Sequence, residues 1–334
     1  MSKPRSIFLL SESAFQKIYS KASINEVCAI THNKGRLYSE KEILQTPSEF
    51  EDVEIIFGGW GTPVLNETLM EKLPALKALF YGAGSINYIV TEAFWKRNIL
   101  ITSAYRQNAV PVAQYTLASI IYALKKAWKF HQQLKKGVNG FNIDAAPGAY
   151  KGSKVGIVSL GAIGQLVCRT LTQLEVDILA YDPYVHDSVF EKCGATCVPS
   201  IEELFETCNV VSIHTPLLKE TRGMINRNLL ERMPEDACFI NTSRGAVVNE
   251  SDLLELLTKR SDLYAIIDVL TDEKSYHQSP FNQLPNVFIT PHIAGSTGNE
   301  CLRMGEAAVE ECHRFLNGDV PHVAISREQS LVMA

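Results

Sequence analysis

The sequence predicts an α/β protein built on parallel, doubly wound sheets, and three observations carry that prediction. Short apolar, β-branched runs alternate with segments of helical spacing along most of the chain. One such run leads into a glycine-rich turn, Gly156-Ile157-Val158-Ser159-Leu160-Gly161-Ala162-Ile163-Gly164, and a helix follows. At 334 residues the chain exceeds what one hydrophobic core ordinarily serves, so two domains are expected.

Residues 6–10, 27–30, 53–57, 76–81 and 99–102 read as strands, with helical segments between several of them. A long helix is expected over 109–136, with Asn108 as its N-cap and Pro111 tolerated in the first turn. Leu117, Ile121, Leu124 and Trp128 recur on it at helical spacing. That stripe is long for one small domain to cover, so a homodimer through this helix is expected. Residues 137–150 carry the glycine, asparagine and proline of a loop. Strands are then expected at 154–160, 178–182, 210–214, 237–241, 263–268 and 287–290. A helix at 165–174 follows the glycine turn, and an amphipathic helix near 299–316 ends the chain.

Composition narrows the class. With 46% hydrophobic and 21% charged residues the chain reads as a soluble globular protein. A net charge of −5 argues against nucleic acid as a main partner. The basic run from Lys125 to Lys136 reads as a solvated helix face. No apolar stretch reaches membrane-spanning length, and the run 7–10 is too short for a signal peptide, so a cytoplasmic protein is expected. The cysteines are scattered. Cys193 with Cys197, and Cys312 with His313, lack a second ligand pair, so no metal site is expected.

The strand–turn–helix around Gly161 is the context a dinucleotide fingerprint requires. Gly161 lets the backbone approach a pyrophosphate, Gly164 lets helix and strand pack closely, and the N–H groups from Ala162 and Ile163 open the helix toward phosphates. Ser159 stands where the fingerprint has its first glycine. Asp182 follows Gly164 by 18 residues and can accept both hydrogen bonds of a ribose diol. A 2′-phosphate would be repelled there, and Pro183, Tyr184 and Val185 bring no arginine, so NAD(H) is expected over NADP(H). A tight turn with no ligand is the bland alternative. Ligands in such sheets bind beyond the carboxyl ends of the strands. Thr215-Pro216, Thr242-Ser243-Arg244, Asp268, and His292 with Gly295 all follow predicted strands and are candidate cofactor contacts. Singly, Arg244 could cap a helix, Glu273 could be a loop acid, and His292 could be a satisfied core histidine.

Together these groups make chemical sense. Hydride transfer to a ketone builds negative charge on its oxygen. The planar, permanently charged Arg244 can hold a carboxylate and polarise that carbonyl. An imidazole titrates near neutrality, so His292 can supply the proton, with Glu273 orienting it.

On these residues the chain resembles the D-isomer-specific 2-hydroxyacid dehydrogenases, from about Leu76 to about Leu316 and most strongly over 154–297. The resemblance implies a Rossmann-type NAD-binding domain, 104–296, inserted into a flavodoxin-like substrate domain made of 1–103 and 297–334. It places the family's catalytic arginine on Arg244, its nicotinamide-anchoring aspartate on Asp268, its catalytic glutamate on Glu273 and its acid/base histidine on His292. The loop that holds the substrate carboxylate falls on Gly82, Ala83 and Gly84. Departures are Ser159 for glycine, Lys274 where proline is usual, and Gln114 where glutamate is usual. The expected substrate is a small unphosphorylated D-2-hydroxy or 2-oxo acid. Trp60 is its apolar wall, and neither Gly58–Pro63 nor 81–84 contains a cation for a second anion. Arg106 is the nearby candidate for that task. Glu273, rather than glutamine, favours hydroxy-acid over formate chemistry. The rival readings are an NAD(H)-sensing, corepressor-like binding protein and a formate or phosphite dehydrogenase.

Overall fold

Consecutive residues of a strand face opposite sides of its sheet, and in this chain both sides are apolar. In the computed structural model, which describes residues 3–333, five strands come from the first third of the chain. They are β1 (Arg5–Leu9), β2 (Leu37–Tyr38), β3 (Val53–Gly58), β4 (Ala78–Tyr81) and β5 (Leu100–Ser103). All pair in parallel, in the order β2-β1-β3-β4-β5, the flavodoxin-like order. Ile7, Leu9, Ile56 and Leu79 enter one core. Phe8, Phe57 and Phe80 enter the other, with ring centroids 5.5 and 5.7 Å apart along the row. The helix Leu302–Asn317 returns to this second core through Met304, Ala308 and Cys312. Gly305 permits that approach, since a Cβ there would lie 2.0 Å from the Ile18 carbonyl oxygen.

Seven strands form the second sheet: β6 (Lys154–Val158), β7 (Asp177–Tyr181), β8 (Thr196–Cys197), β9 (Val210–Ile213), β10 (Cys238–Asn241), β11 (Tyr264–Ile267) and β12 (Val287–Ile289). Their order is β12-β11-β10-β9-β6-β7-β8, all parallel. Val155, Ile157, Ile178 and Ile240 face one core, and Val158, Val211, Ile213 and Phe239 face the other. Strand order reverses between β6 and β9, the switch point beyond which a Rossmann sheet binds its ligand. The chain divides into two compact units, residues 1–108 with 296–334, and residues 109–295. No described helix is long and apolar enough to cross a membrane.

Three local expectations are corrected. Residues 27–30 are not a strand but the last turn of helix Lys21–Ile30, whose N-cap Ser20 accepts from the Ser23 N–H. A four-residue apolar run does not separate the two states, and the cap decides. The expected helix 109–136 starts earlier, at Tyr105, and ends at Leu124; a second helix, Ala127–Lys135, follows. Asn108 is therefore inside the helix, its side-chain oxygen accepting from the Ser296 N–H at 3.0 Å. The break is at Lys126, whose φ is 49°. Lys126 and Lys129 are also not a free solvated face, because both ammonium groups grip Asp236. Burial pushes the Asp236 carboxyl up, but the two ammonium groups outweigh it and hold it below its ordinary range.

Candidate active site

The glycine turn is tied to Asp182. β6 stops at Val158, and Ser159 turns the chain with φ at 75°, the left-handed region glycine favours. The Leu160 N–H then donates to Asp182 Oδ2 at 2.7 Å, and the Tyr184 N–H donates to Oδ1 at 2.9 Å. One carboxylate thus fixes both turns and keeps lone pairs for a diol. The helix Ala162–Leu171 starts after Gly161. A Cβ on Gly164 would lie 2.0 Å from the Ser159 carbonyl oxygen, whereas one on Gly161 would meet nothing within 4 Å. So Gly164 is demanded by packing, and Gly161 faces open space at a helix N-terminus whose N–H groups lack intrahelical partners. Ser159→Gly relieves the left-handed serine and is expected to stabilise the fold by about 0.5–1 kcal/mol, read as a higher urea midpoint at unchanged slope. An unchanged or lower midpoint would show that the Ser159 hydroxyl, 3.4 Å from Asp182, outweighs the backbone term.

The neighbouring strand β9 ends in two polar groups that were not both legible in the sequence. Thr215 was expected at the cofactor; His214 beside it was not. Both are buried, and His214 Nδ1 and Thr215 Oγ1 have no hydrogen-bond partner. Burial pushes the His214 imidazole down to about 3, so it is neutral, with Nε2 3.1 Å from the Ser212 hydroxyl. Buried polar atoms without partners are rare in native proteins, and a bound ligand is one way they become satisfied. The cradle at Gly161, the carboxylate of Asp182 and these two orphaned atoms fit a dinucleotide.

Beyond β10, Asn241 builds the turn that presents Arg244. Its Oδ1 accepts from the Ser243 N–H and hydroxyl, both at 3.0 Å, and its Nδ2 donates to the Arg244 carbonyl at 3.1 Å. Gly245 then passes so close to the next strand's loop that a Cβ would lie 2.0 Å from the Leu270 carbonyl carbon. That contact sets the Arg244 turn against the segment leading to Glu273. The half-buried guanidinium donates to the Ser243 carbonyl at 2.7 Å, and no described carboxylate lies within ion-pair distance of it. It is a permanent cation without an anion.

Beyond β11 and β12 the imidazole is held from several sides. His292 has φ at 53°, and its N–H donates to the Asp268 carbonyl at 2.8 Å. Its Nδ1 lies 2.8 and 2.9 Å from the two Glu273 oxygens. A carboxylate only accepts, so Nδ1 carries the donated hydrogen, and Nε2, which has no described partner, is the nitrogen that can exchange a proton. Both side chains are about two-fifths exposed, at 41% and 40%, so a small substrate can reach them. His292 is therefore not a satisfied core histidine.

Other expected residues are placed differently. Asp268 was expected to anchor nicotinamide. It is fully buried, and its carboxylate accepts from the Thr290 hydroxyl and from the N–H groups of Ile293 and Ala294. It holds the His292 turn. The Thr242 hydroxyl bonds Thr116 at 3.1 Å, and the Ser243 hydroxyl commits its hydrogen to Asn241. Pro216 offers its carbonyl to the Thr221 hydroxyl. Gly295 follows Ala294 directly and is half-buried. In the other unit the Gly82 N–H is engaged by the Gly58 carbonyl, which removes it as a substrate donor. The N–H groups of Ala83 and Gly84 have no described acceptor, and the Ser103 hydroxyl fixes their loop from within hydrogen-bond distance of both carbonyls, which share its one hydrogen. Trp60 is half-buried and packs on both cores of its unit. Arg106 is exposed and lies 5.7 Å over the Tyr105 ring.

Comparison with known proteins agrees with this geometry. Residues 117–294 match the family model of the D-isomer specific 2-hydroxyacid dehydrogenase NAD binding domain. Bacillus subtilis YoaD, which carries the name of a 2-hydroxyacid dehydrogenase, is 31% identical over 277 residues, spanning 79% of this chain and 76% of its own length. A D-3-phosphoglycerate dehydrogenase of Methanocaldococcus jannaschii is 27% identical over 84% of this chain, which spans 53% of that longer protein. In fold, the crystal structure of apo Rhodotorula graminis D-mandelate dehydrogenase superposes with a TM-score of 0.83 at 20% identity, covering 97% of this chain and 98% of that one. A nucleotide cradle on a Rossmann sheet, matched over more than half its length by that NAD-binding model, makes this chain a member of the D-isomer-specific 2-hydroxyacid dehydrogenase family, with NAD(H) as its cofactor.

Proposed function

We propose that the protein interconverts a small, unphosphorylated D-2-hydroxy acid and its 2-oxo acid. The observation that carries this reading is the His292–Glu273 pair, with Nε2 free, in the same unit as the unpaired Arg244 guanidinium. The cradle at Gly161–Gly164, Asp182, and the end of β9 would hold NAD(H), which supplies or accepts the hydride when bound. Arg244 binds the substrate carboxylate and polarises the carbonyl toward which negative charge moves. His292 Nε2 gives its proton to the forming alkoxide in reduction and takes it back in oxidation. Glu273 keeps the ring in one tautomer and orientation. A screen of NADH oxidation with glyoxylate, hydroxypyruvate, pyruvate and bulkier 2-oxo acids tests the reading. No turnover with any of them, but tight NADH binding, would favour a sensor; NADH formation from formate or phosphite would favour the other dehydrogenases.

The unphosphorylated substrate rests on charge. Neither loop of the first unit that was expected to wall the pocket contains a lysine or arginine, and Arg106 lies on Tyr105 instead. The phosphoglycerate dehydrogenase among the relatives makes the point worth measuring. Hydroxypyruvate should be used with higher kcat/KM than its 3-phosphate, and the reverse order would sink this part of the proposal.

For cofactor choice, Asp182 should favour NAD over NADP by about 2 kcal/mol, the scale of a carboxylate facing a phosphate in a partly buried site. Asp182→Asn removes the charge and keeps an acceptor for one of the two turns, and should narrow that preference. Equal use of both cofactors by the unaltered protein would contradict it.

We also propose a homodimer, in the cytoplasm, where eight unpaired cysteines would stay reduced. The surface that supports it differs from the one expected. Leu124 is fully buried in its own subunit, and Leu117 and Trp128 pack on the same core. The exposed apolar side chains of this stretch are instead Tyr122, Leu134, Val138, Ile143 and Tyr150. Sedimentation at micromolar concentration should give twice the 37.1 kDa chain mass. A species at the chain mass alone would reject the dimer.

A further inference from the structure

His292 occupies a left-handed backbone conformation that is uncommon for any residue with a side chain, so something must hold it there. The holding groups form a chain of hydrogen bonds. The Thr290 hydroxyl donates to Asp268 Oδ1 at 2.6 Å. A hydroxyl has one hydrogen, so the 2.8 Å contact between Thr290 and Tyr115 can be made only with Tyr115 as the donor. Asp268 then accepts from the N–H groups on the far side of His292, those of Ile293 and Ala294, at 2.9 Å each. The Asp268 carbonyl accepts from His292 itself and from the Tyr276 hydroxyl, at 2.8 and 2.9 Å.

We propose that Tyr115 is a positioning residue for His292, acting through Thr290 and Asp268. The inference rests on His292 being the acid–base group. It adds that the helix Tyr105–Leu124 fixes the orientation of that group from outside the turn that carries it. Without the Tyr115 hydroxyl, Thr290 loses the donor that fixes its rotamer. Asp268 can then trade one of its acceptor bonds, and the strained turn at His292 can relax away from the geometry that faces Glu273. Burial raises the Tyr115 phenol above its ordinary range, so it remains a donor wherever the enzyme works. Tyr115 touches no reacting atom; its effect is on the fraction of His292 held in the productive orientation. Small misplacements of that kind lower turnover more than binding.

The test is a set of variants assayed with whichever of glyoxylate, hydroxypyruvate and pyruvate the protein turns over fastest. Tyr115→Phe and Thr290→Val should each lower kcat about tenfold, with KM and NADH affinity nearly unchanged. Thr290→Ser keeps the hydroxyl and should restore most of the turnover. The double variant Tyr115→Phe/Thr290→Val should be no slower than Thr290→Val alone, because the two act in series. The decisive arm is the His292→Ala background, where adding Tyr115→Phe should leave the residual turnover unchanged. A further loss there, or full kcat in Tyr115→Phe, overturns the relay while leaving His292 in its role. Near-normal turnover of His292→Ala alone overturns both the relay and the acid–base assignment. Thermal unfolding midpoints, measured alongside, show whether each variant is folded, and Thr290→Ser serves as the folded control if Tyr115→Phe is not.

Discussion

His292→Ala is expected to lower turnover roughly 10²–10⁴-fold, the usual contribution of a positioned general acid or base, while NADH still binds. The geometry explains why the loss should fall on kcat. Nδ1 is held by both Glu273 oxygens, so Nε2 is the nitrogen that exchanges the proton. The residues proposed to hold the cofactor lie elsewhere on the sheet, after β6, β7 and β9. Reduction consumes a proton held on the imidazole and oxidation needs the site empty. Glu273→Gln leaves the imidazole with a neutral partner and should retain more turnover than His292→Ala but less than the unaltered protein. If His292→Ala reduces its best 2-oxo acid at near-normal rate, another group supplies the proton and the assignment fails.

Much of this site was legible in the chain because its residues sit at fixed points of a regular fold. Asp182, Arg244 and His292 each follow a strand, and strand ends in a parallel sheet converge on one edge. Asp182 was readable from its distance to the glycine turn. What escaped was whatever depends on where a side chain points. Asp268 was identified by its place after β11, but the hydrogen bonds of its carboxylate to the Thr290–Ala294 turn were not. No sequence spacing distinguishes an acid aimed at a ligand from one aimed at its own loop. His214 escaped because a single histidine after an apolar strand carries no pattern; its signal is an orphaned buried nitrogen, which exists only in three dimensions. Residues 27–30 were misread because four apolar residues are compatible with helix or strand. The break at Lys126 was missed since an alanine- and lysine-rich stretch favours helix everywhere. The pull of Asp236 on Lys126 and Lys129 is a long-range term that local propensity does not contain.

Arg244→Lys is the second large effect, and it separates charge from shape. The substitution keeps a cation but removes the planar fork that meets a carboxylate with two parallel hydrogen bonds. It also shortens reach at a turn whose backbone is fixed. Asn241 holds it from one side, and the Gly245 contact with Leu270 holds it from the other, so the chain cannot shift to compensate. A guanidinium that binds the carboxylate in the ground state and polarises the carbonyl in the transition state acts on both constants. KM for the 2-oxo acid should therefore rise and kcat should fall, together lowering kcat/KM roughly 10²–10³-fold, the scale of losing one charge-stabilising donor at a reacting oxygen. NADH affinity should change little, because on the proposed reading the turn at Gly161 and Asp182 would carry most of the cofactor's contacts. A variant with raised KM and unaltered kcat would confine Arg244 to anchoring the carboxylate. A variant with both constants intact would remove it from the site, since an unpaired guanidinium without a substrate anion would then have no chemical task.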